Sequence, residues 1–283
     1  MILQPPTTNP IRRVVTWRVL GGVLSSLLFL AALAWVLWKN VGDWPTLLRS
    51  FDPRFLGFAF VAQSAALGFA ALTWHRMLAS LGRDTDPIRN VGIYVTTAFA
   101  RRLPGSYWGP ALRMFWYKRL GGDWRAAGAA SVLEVWAVSI SGIVLATMGI
   151  VLFVGLASEE LWVSATVALV LLGATCVPQV NRWLFRRLLA VVRPNGTTGL
   201  EVLPDLSELT RWVGLELANW LLGGLELAAI IRALHPYDLN LIPGIISVWA
   251  IAGTAGALIT FLPGGFGVVE ILLISLLGLW FPT

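Results

Sequence analysis

The chain has 283 residues, of which 57% are hydrophobic and 13% charged, and its formal net charge is +6. Such a composition excludes an ordinary soluble domain and points to several membrane-crossing segments. The basic residues lie between apolar runs rather than in a module of their own, so they are expected to face anionic lipid and not nucleic acid.

At the N-terminus Arg12, Arg13 and Arg18 precede an apolar run, and Ala32-Leu33-Ala34 resembles a signal-peptidase site. The apolar run continues through Trp35-Val36-Leu37-Trp38 without a polar stretch, so an uncleaved first span is expected. A helix rising 1.5 Å per residue needs about 20 apolar residues to cross the hydrocarbon. The segments that meet this are Val19–Trp38, Phe55–Trp74, Ala127–Gly155, Leu161–Val177, Trp212–Ile231 and Leu241–Phe261, followed by a shorter one at Phe266–Phe281. Asp43–Phe51 has apolar residues at helical spacing and is expected on the membrane surface. Asn90–Leu120 is apolar, basic and aromatic together, and reads as a pair of half-helices. Residues 178–207 read as a polar linker loop inside a single transmembrane domain, 1–283. The fold expected is therefore all-α and polytopic, with about 6–7 transmembrane helices plus broken, re-entrant half-helices.

Placing the N-terminus in the cytoplasm puts 17 of the 21 basic residues on that side and leaves Lys39, Arg49, Arg54 and Arg232 on the other. This is the bias of a multi-pass protein in a cell membrane. Many of the 15 tryptophans fall near span ends, including Trp38, Trp44, Trp74, Trp162, Trp183, Trp212 and Trp280, where an aromatic belt explains them. Trp108 and Trp116 flank a helix break and fit a belt or a binding role equally.

Function classes narrow by what is missing. There is one cysteine, Cys176, and there are two histidines, with no CxxC, HExxH, GxxxxGKS/T or GxSxG. No metal or cofactor is expected, and no enzymatic activity has a recognisable motif.

Two interruptions carry the positive signal: Leu103-Pro104-Gly105, with Gly109 after it, and Leu262-Pro263-Gly264-Gly265, with Gly267 after it. Proline removes a backbone donor and glycine loosens the chain, so each should stop a helix. Inside a bilayer this is tolerated only where the freed backbone is buried in protein or lines a cavity, and paired breaks point to a binding site. Four carboxylates fall within or beside spans: Glu134, Glu216, Glu226 and Glu270. Ionisable groups there are costly and usually face a cavity or partner. Glu216, Asn219, Gly223 and Glu226 share an arc of about 80° on one helix. Ser131, Glu134 and Ser141 share another face, where the serines read as packing residues. Arg101, Arg102 and Arg113 bracket the first break; Arg102 and Arg113 could hold a phosphate or be ordinary topology charges. Lys118, Arg119 and Arg125 read as topology signals.

Three stretches give a resemblance. Trp74-His75-Arg76-Met77-Leu78, then Leu103-Pro104-Gly105 with Gly109, Ala111-Leu112-Arg113 and Ser131-Val132-Leu133-Glu134, then Phe261-Leu262-Pro263-Gly264-Gly265-Phe266-Gly267-Val268-Val269-Glu270, resemble the membrane domain of lysylphosphatidylglycerol synthases. This flippase-like family also occurs as stand-alone membrane proteins. The chain departs from the family pattern at Pro110, Val135 and Val138, where acidic, Arg and Asp residues are usual. The resemblance implies two structural repeats with re-entrant half-helices and transfer of lipids between leaflets.

The function expected is a lipid translocase that moves or binds a phospholipid or a lipid-linked head group. Arg102 and Arg113 would hold its phosphate, and Glu134 or Glu270 an amine or hydroxyl; Glu216, Asn219 and Glu226 complete the expected site. Membrane lipids are the expected partners. The alternatives are a transferase using a lipid-linked donor, and an accessory subunit that recruits a transferase; family members continue with further spans, which favours the latter. The two breaks are expected to meet near one polar cavity that Glu134 and Glu270 share.

Overall fold

The computed structural model describes residues 51–81, 86–98, 100, 108–154, 205–259, 268–278 and 281, with residues 31, 35, 38, 39 and 166. Apart from those single residues, the expected spans Val19–Trp38 and Leu161–Val177 lie outside the described residues, as do the surface segment 43–50, both Pro-Gly interruptions with Arg102, and the linker 178–207 up to 204; its last two residues, Leu206 and Ser207, already belong to a helix, capped by Asp205. All the regular structure described is helical: α1 (Pro53–Ser80), α2 (Pro87–Ala98), α3 (Trp108–Arg119), α4 (Trp124–Val154), α5 (Leu206–Leu234), α6 (Ile242–Ile259), preceded by a 3₁₀ turn at Leu239–Leu241, and α7 (Val268–Leu277). The chain is an all-α polytopic membrane protein. α1, α4, α5 and Leu239–Ala257 are each long and apolar enough to cross a bilayer.

Aspartates start four of these helices. The Asp52 carboxylate accepts from Arg54 N at 3.0 Å, and Asp86 Oδ1 from Ile88 N and Arg89 N at 3.0 and 3.2 Å. Asp123 Oδ1 accepts from Arg125 N and Ala126 N at 2.9 and 3.2 Å, and Asp205 Oδ1 from Glu208 N at 2.8 Å. Each satisfies backbone donors that the first turn leaves without a partner. Pro53 and Pro87 follow two of these caps, and Pro110 sits in the first turn of α3, where proline needs no intrahelical donor. The departure at Pro110 therefore suits a helix start.

The backbone N–H of Glu208 and then the Ser207 hydroxyl hold the Asp205 carboxyl below the ordinary aspartate range. Since the folded value is the lower one, the cap stabilises fully above about pH 4 and is lost as pH falls through the depressed value. Asp205→Asn keeps an acceptor but no titration. It should flatten the acid-side fall in melting temperature relative to the parent when thermal unfolding is followed from pH 6 to pH 3.

Direction follows from a few contacts. Asp52 N donates to Ala233 O at 3.0 Å, so α1 starts where α5 ends and the two run antiparallel. Arg54 and Arg232 belong to that end. The opposite end, where α1 finishes and α4 and α5 begin, carries Arg76, Arg89, Lys118, Arg119, Arg125 and Arg211. It is called the basic end below.

Halfway along the bundle, Trp220 Nε1 of α5 donates to Val138 O of α4 at 3.0 Å. Three helices lock together there through glycine. A Cβ on Gly142 would meet Thr254 Oγ1 at 2.1 Å, one on Gly253 the Trp220 ring at 2.6 Å, and one on Gly224 the Ile246 Cα at 2.8 Å. Small residues let membrane helices approach closely where lipid supplies no hydrophobic drive.

The short helices come in two pairs that approach this level from opposite ends. Asn90 of α2 meets Tyr117 of α3, and Thr97 meets Arg113, so α2 and α3 are antiparallel. α2 leads away from the basic end, and α3 returns to it. At 12 residues each, they are about 18 Å long, too short to cross. α6 starts at the other end. Gly253 lies level with the midpoints of α4 and α5, and Ile259, the last residue described in α6, lies about 9 Å beyond that level. α7 begins with Val269 against Gly256 and runs back toward Phe281, which packs on His235 and Tyr237 at the end α6 came from. Length alone would let α6 cross; its packing makes it one arm of a returning pair.

Candidate functional site

The antiparallel pair α2–α3 carries a polar cluster against α4. α3 ends in a tight turn in which Gly122 N donates to Tyr117 O at 2.8 Å and Gly121 N to Lys118 O at 3.3 Å. Gly121 has φ +73°, a left-handed conformation that glycine adopts without strain. This turn lays α3 alongside α4 and brings Arg113 to Glu134.

Arg113 is fully buried, and its Nη1 meets Glu134 Oε2 at 2.5 Å. Glu134 is 3% exposed, and its other oxygen accepts from the Tyr94 hydroxyl at 2.7 Å. Arg113 Nε donates to Thr97 Oγ1 at 3.3 Å. Two rings flank the guanidinium, Trp74 with its centroid at 4.4 Å and Tyr94 at 4.1 Å. Desolvating two charges is costly, and the ion pair, the hydroxyls and the ring faces together offset it. A lower tier continues toward the basic end: the Tyr117 hydroxyl donates to Asn90 Oδ1, and Asn90 Nδ2 lies 3.1 Å from His75 Nδ1.

Among the buried donors with no acceptor in the described residues, three belong to fully buried side chains around this cluster: Arg113 Nη2, Trp74 Nε1 and Trp212 Nε1. Trp74 and Trp212 belong to one core cluster, and counting from the Asp52–Ala233 contact brings them level across α1 and α5. All three groups can only donate. Such a set, in an apolar surrounding, suits a ligand that accepts.

The structure thus joins Arg113 and Glu134, which the sequence flags separately, as an ion pair. Glu216 is fully buried, ten residues into α5, rather than near a membrane surface, and accepts from Asn219 Nδ2 at 3.0 Å. It precedes Trp220 by one turn as Glu134 precedes Val138, so the two carboxylates lie at one depth. Glu226 is half-buried, further toward the Arg232 end. Glu270 begins α7 at a similar depth but is exposed, and the structure does not bring it to the ion pair. Gly109 is buried in the first turn of α3. Arg102, Pro104, Gly105, Pro263, Gly264, Gly265 and Gly267 lie outside the described residues. Ser131 and Ser141 bond back to Ala127 O and Ala137 O of their own helix, as packing residues do.

Two tryptophans differ from the belt expectation. Trp74 and Trp212 are fully buried, because α1 and α5 close over the Arg113 cluster there. Sequence reasoning passes over Tyr94 and Thr97. Their signal is helical spacing: Asn90, Tyr94 and Thr97 recur at i, i+4 and i+7, the stripe that faces α3 and α4.

A family model described as lysylphosphatidylglycerol synthase TM region matches residues 19–283. No curated protein and no solved structure matches the chain.

Proposed function

Since the chain belongs to the lysylphosphatidylglycerol synthase TM region family, a family of membrane proteins related to lipid modification or translocation, we propose that it translocates phospholipid or a lipid-linked head group and is not itself an enzyme. The observation that carries this reading is the buried Arg113, paired with Glu134 on one side and holding a spare donor on the other. A phosphate accepts hydrogen bonds and carries the charge that a guanidinium fits. In this reading Arg113 Nη2 and the Trp74 and Trp212 indoles donate to the phosphate. Glu134, held by Tyr94, keeps Arg113 oriented until the head group arrives, then takes up an amine or hydroxyl of the same head group. Short helix pairs that approach from opposite ends leave a reduced thickness for the head group to cross, while the acyl chains stay in lipid. In this reading the basic end, together with the N-terminus, faces the cytoplasm of a cell membrane; the excess of Lys and Arg supports that orientation.

The test uses fluorescent phospholipid in proteoliposomes, reading the fraction reached by an impermeant quencher over time. Arg113→Lys keeps the charge and a bond to Glu134 but loses the planar fork and the stacking, so translocation should slow by about tenfold with folding preserved. Equal rates would remove Arg113 from the path. Transfer of a group from a lipid-linked donor by the purified protein would replace the translocase reading by a transferase.

A further inference from the structure

The turn between α3 and α4 does more than join them. Its side chains sort by sign. The Asp123 carboxylate accepts from Arg125 N and Ala126 N, capping α4. Lys118, Arg119 and Arg125 are exposed around it. Two of the three cations lie over exposed indoles: Arg119 Cζ is 5.6 Å from the Trp116 ring centroid, and Arg125 Cζ 5.4 Å from that of Trp124. Trp116 and Trp124 are 36% and 37% exposed, and Leu120 between them is 48% exposed. The Gly121–Gly122 geometry fixes the two helix ends that carry these pairs.

We infer that this turn is a docking surface for the head groups of anionic phospholipids in the leaflet at the basic end. Indoles settle at the head-group level of a bilayer, and a guanidinium held against an indole face sits at the same level. Its edge remains free for phosphate oxygens, two at a time. A head group with no ammonium leaves the attraction of two fixed cations uncancelled, whereas phosphatidylcholine brings its own cation. A topology signal alone needs Lys and Arg near the membrane; it does not need each arginine laid on an exposed ring at the two ends of one fixed turn. The surface is separate from the buried Arg113 cluster and does not depend on translocation.

The experiment places the intact protein in nanodiscs doped with a diazirine-bearing phosphatidylglycerol or its phosphatidylcholine counterpart. After illumination, mass spectrometry maps the adducts. Phosphatidylglycerol should label residues 116–125 about tenfold more than phosphatidylcholine, with the preference shrinking in high salt. R119Q/R125Q should bring both lipids to the same labelling there, while Arg54→Gln at the opposite end changes nothing. Equal labelling of the turn by the two lipids in the parent, or an anionic preference that survives R119Q/R125Q, would overturn the inference. Loss of translocation with the anionic preference intact would count against the transport reading alone.

Discussion

Glu134→Ala should destabilise the protein by about 3–5 kcal/mol, the cost of leaving a buried guanidinium without its counter-charge. Arg113 is fully buried, its one acidic partner among the described residues is Glu134, and water does not reach either group well enough to compensate. Arg113→Met should cost a similar amount by leaving the buried Glu134 carboxylate without its guanidinium, even though it still accepts from the Tyr94 hydroxyl. The double variant R113M/E134L should recover most of the loss, because apolar residues of similar volume often replace a buried ion pair without penalty. A double-mutant cycle on unfolding in detergent would give the coupling, expected at a few kcal/mol. If the three variants unfold alike to the parent, the pair is not the buried contact described here. The double variant also separates stability from transport. A protein that folds and no longer moves lipid shows that the charges serve the substrate; one that still moves lipid shows they serve the fold.

Gly142→Val should be the most damaging single change in the helix seam. Even the first carbon of a side chain would meet Thr254 Oγ1 at 2.1 Å and the Trp220 ring at 3.0 Å. Trp220 cannot retreat without losing its bond to Val138 O. Overpacking of this kind typically costs about 1–3 kcal/mol, and valine adds two methyl groups to the collision. The outcome to measure is the yield of monodisperse protein after membrane extraction, together with its melting temperature. Thr254 offers a relief: its hydroxyl is buried with no partner among the described residues. Thr254→Ala should be neutral or stabilising alone, and should rescue part of Gly142→Ala. Rescue absent in that pair would mean that the ring, not the hydroxyl, sets the limit.

The long helices were legible from hydropathy, because a bilayer permits so few backbone arrangements; the two Pro-Gly interruptions lie outside the described residues. Arg113 and Glu134 were legible singly, as expensive residues. Their pairing was not, since it depends on how α3 folds back. Gly121-Gly122-Asp123 between two helical runs was the available clue: a glycine stop beside an aspartate start makes a helical hairpin, and hairpin arms pair residues flanking the turn. Trp74 and Trp212 misled because a tryptophan near a span end reads the same whether it faces head groups or a neighbouring helix. Nothing in the spacing of Glu270 could tell whether its side chain turns inward, because that depends on how α7 rotates against α6.

The glycine seam has a mechanical consequence. Gly142, Gly224 and Gly253 seat the neighbouring ring and backbone so closely that α4, α5 and α6 have little freedom to slide. α2 has no such interlock. It rests on α1 and α3, leaves Ile88, Val91 and Val95 outward, and touches the ion pair through two hydroxyls. Among the described residues, the molecule therefore pairs a tightly interlocked frame with a flank that has no such interlock, and that flank touches its buried ion pair directly.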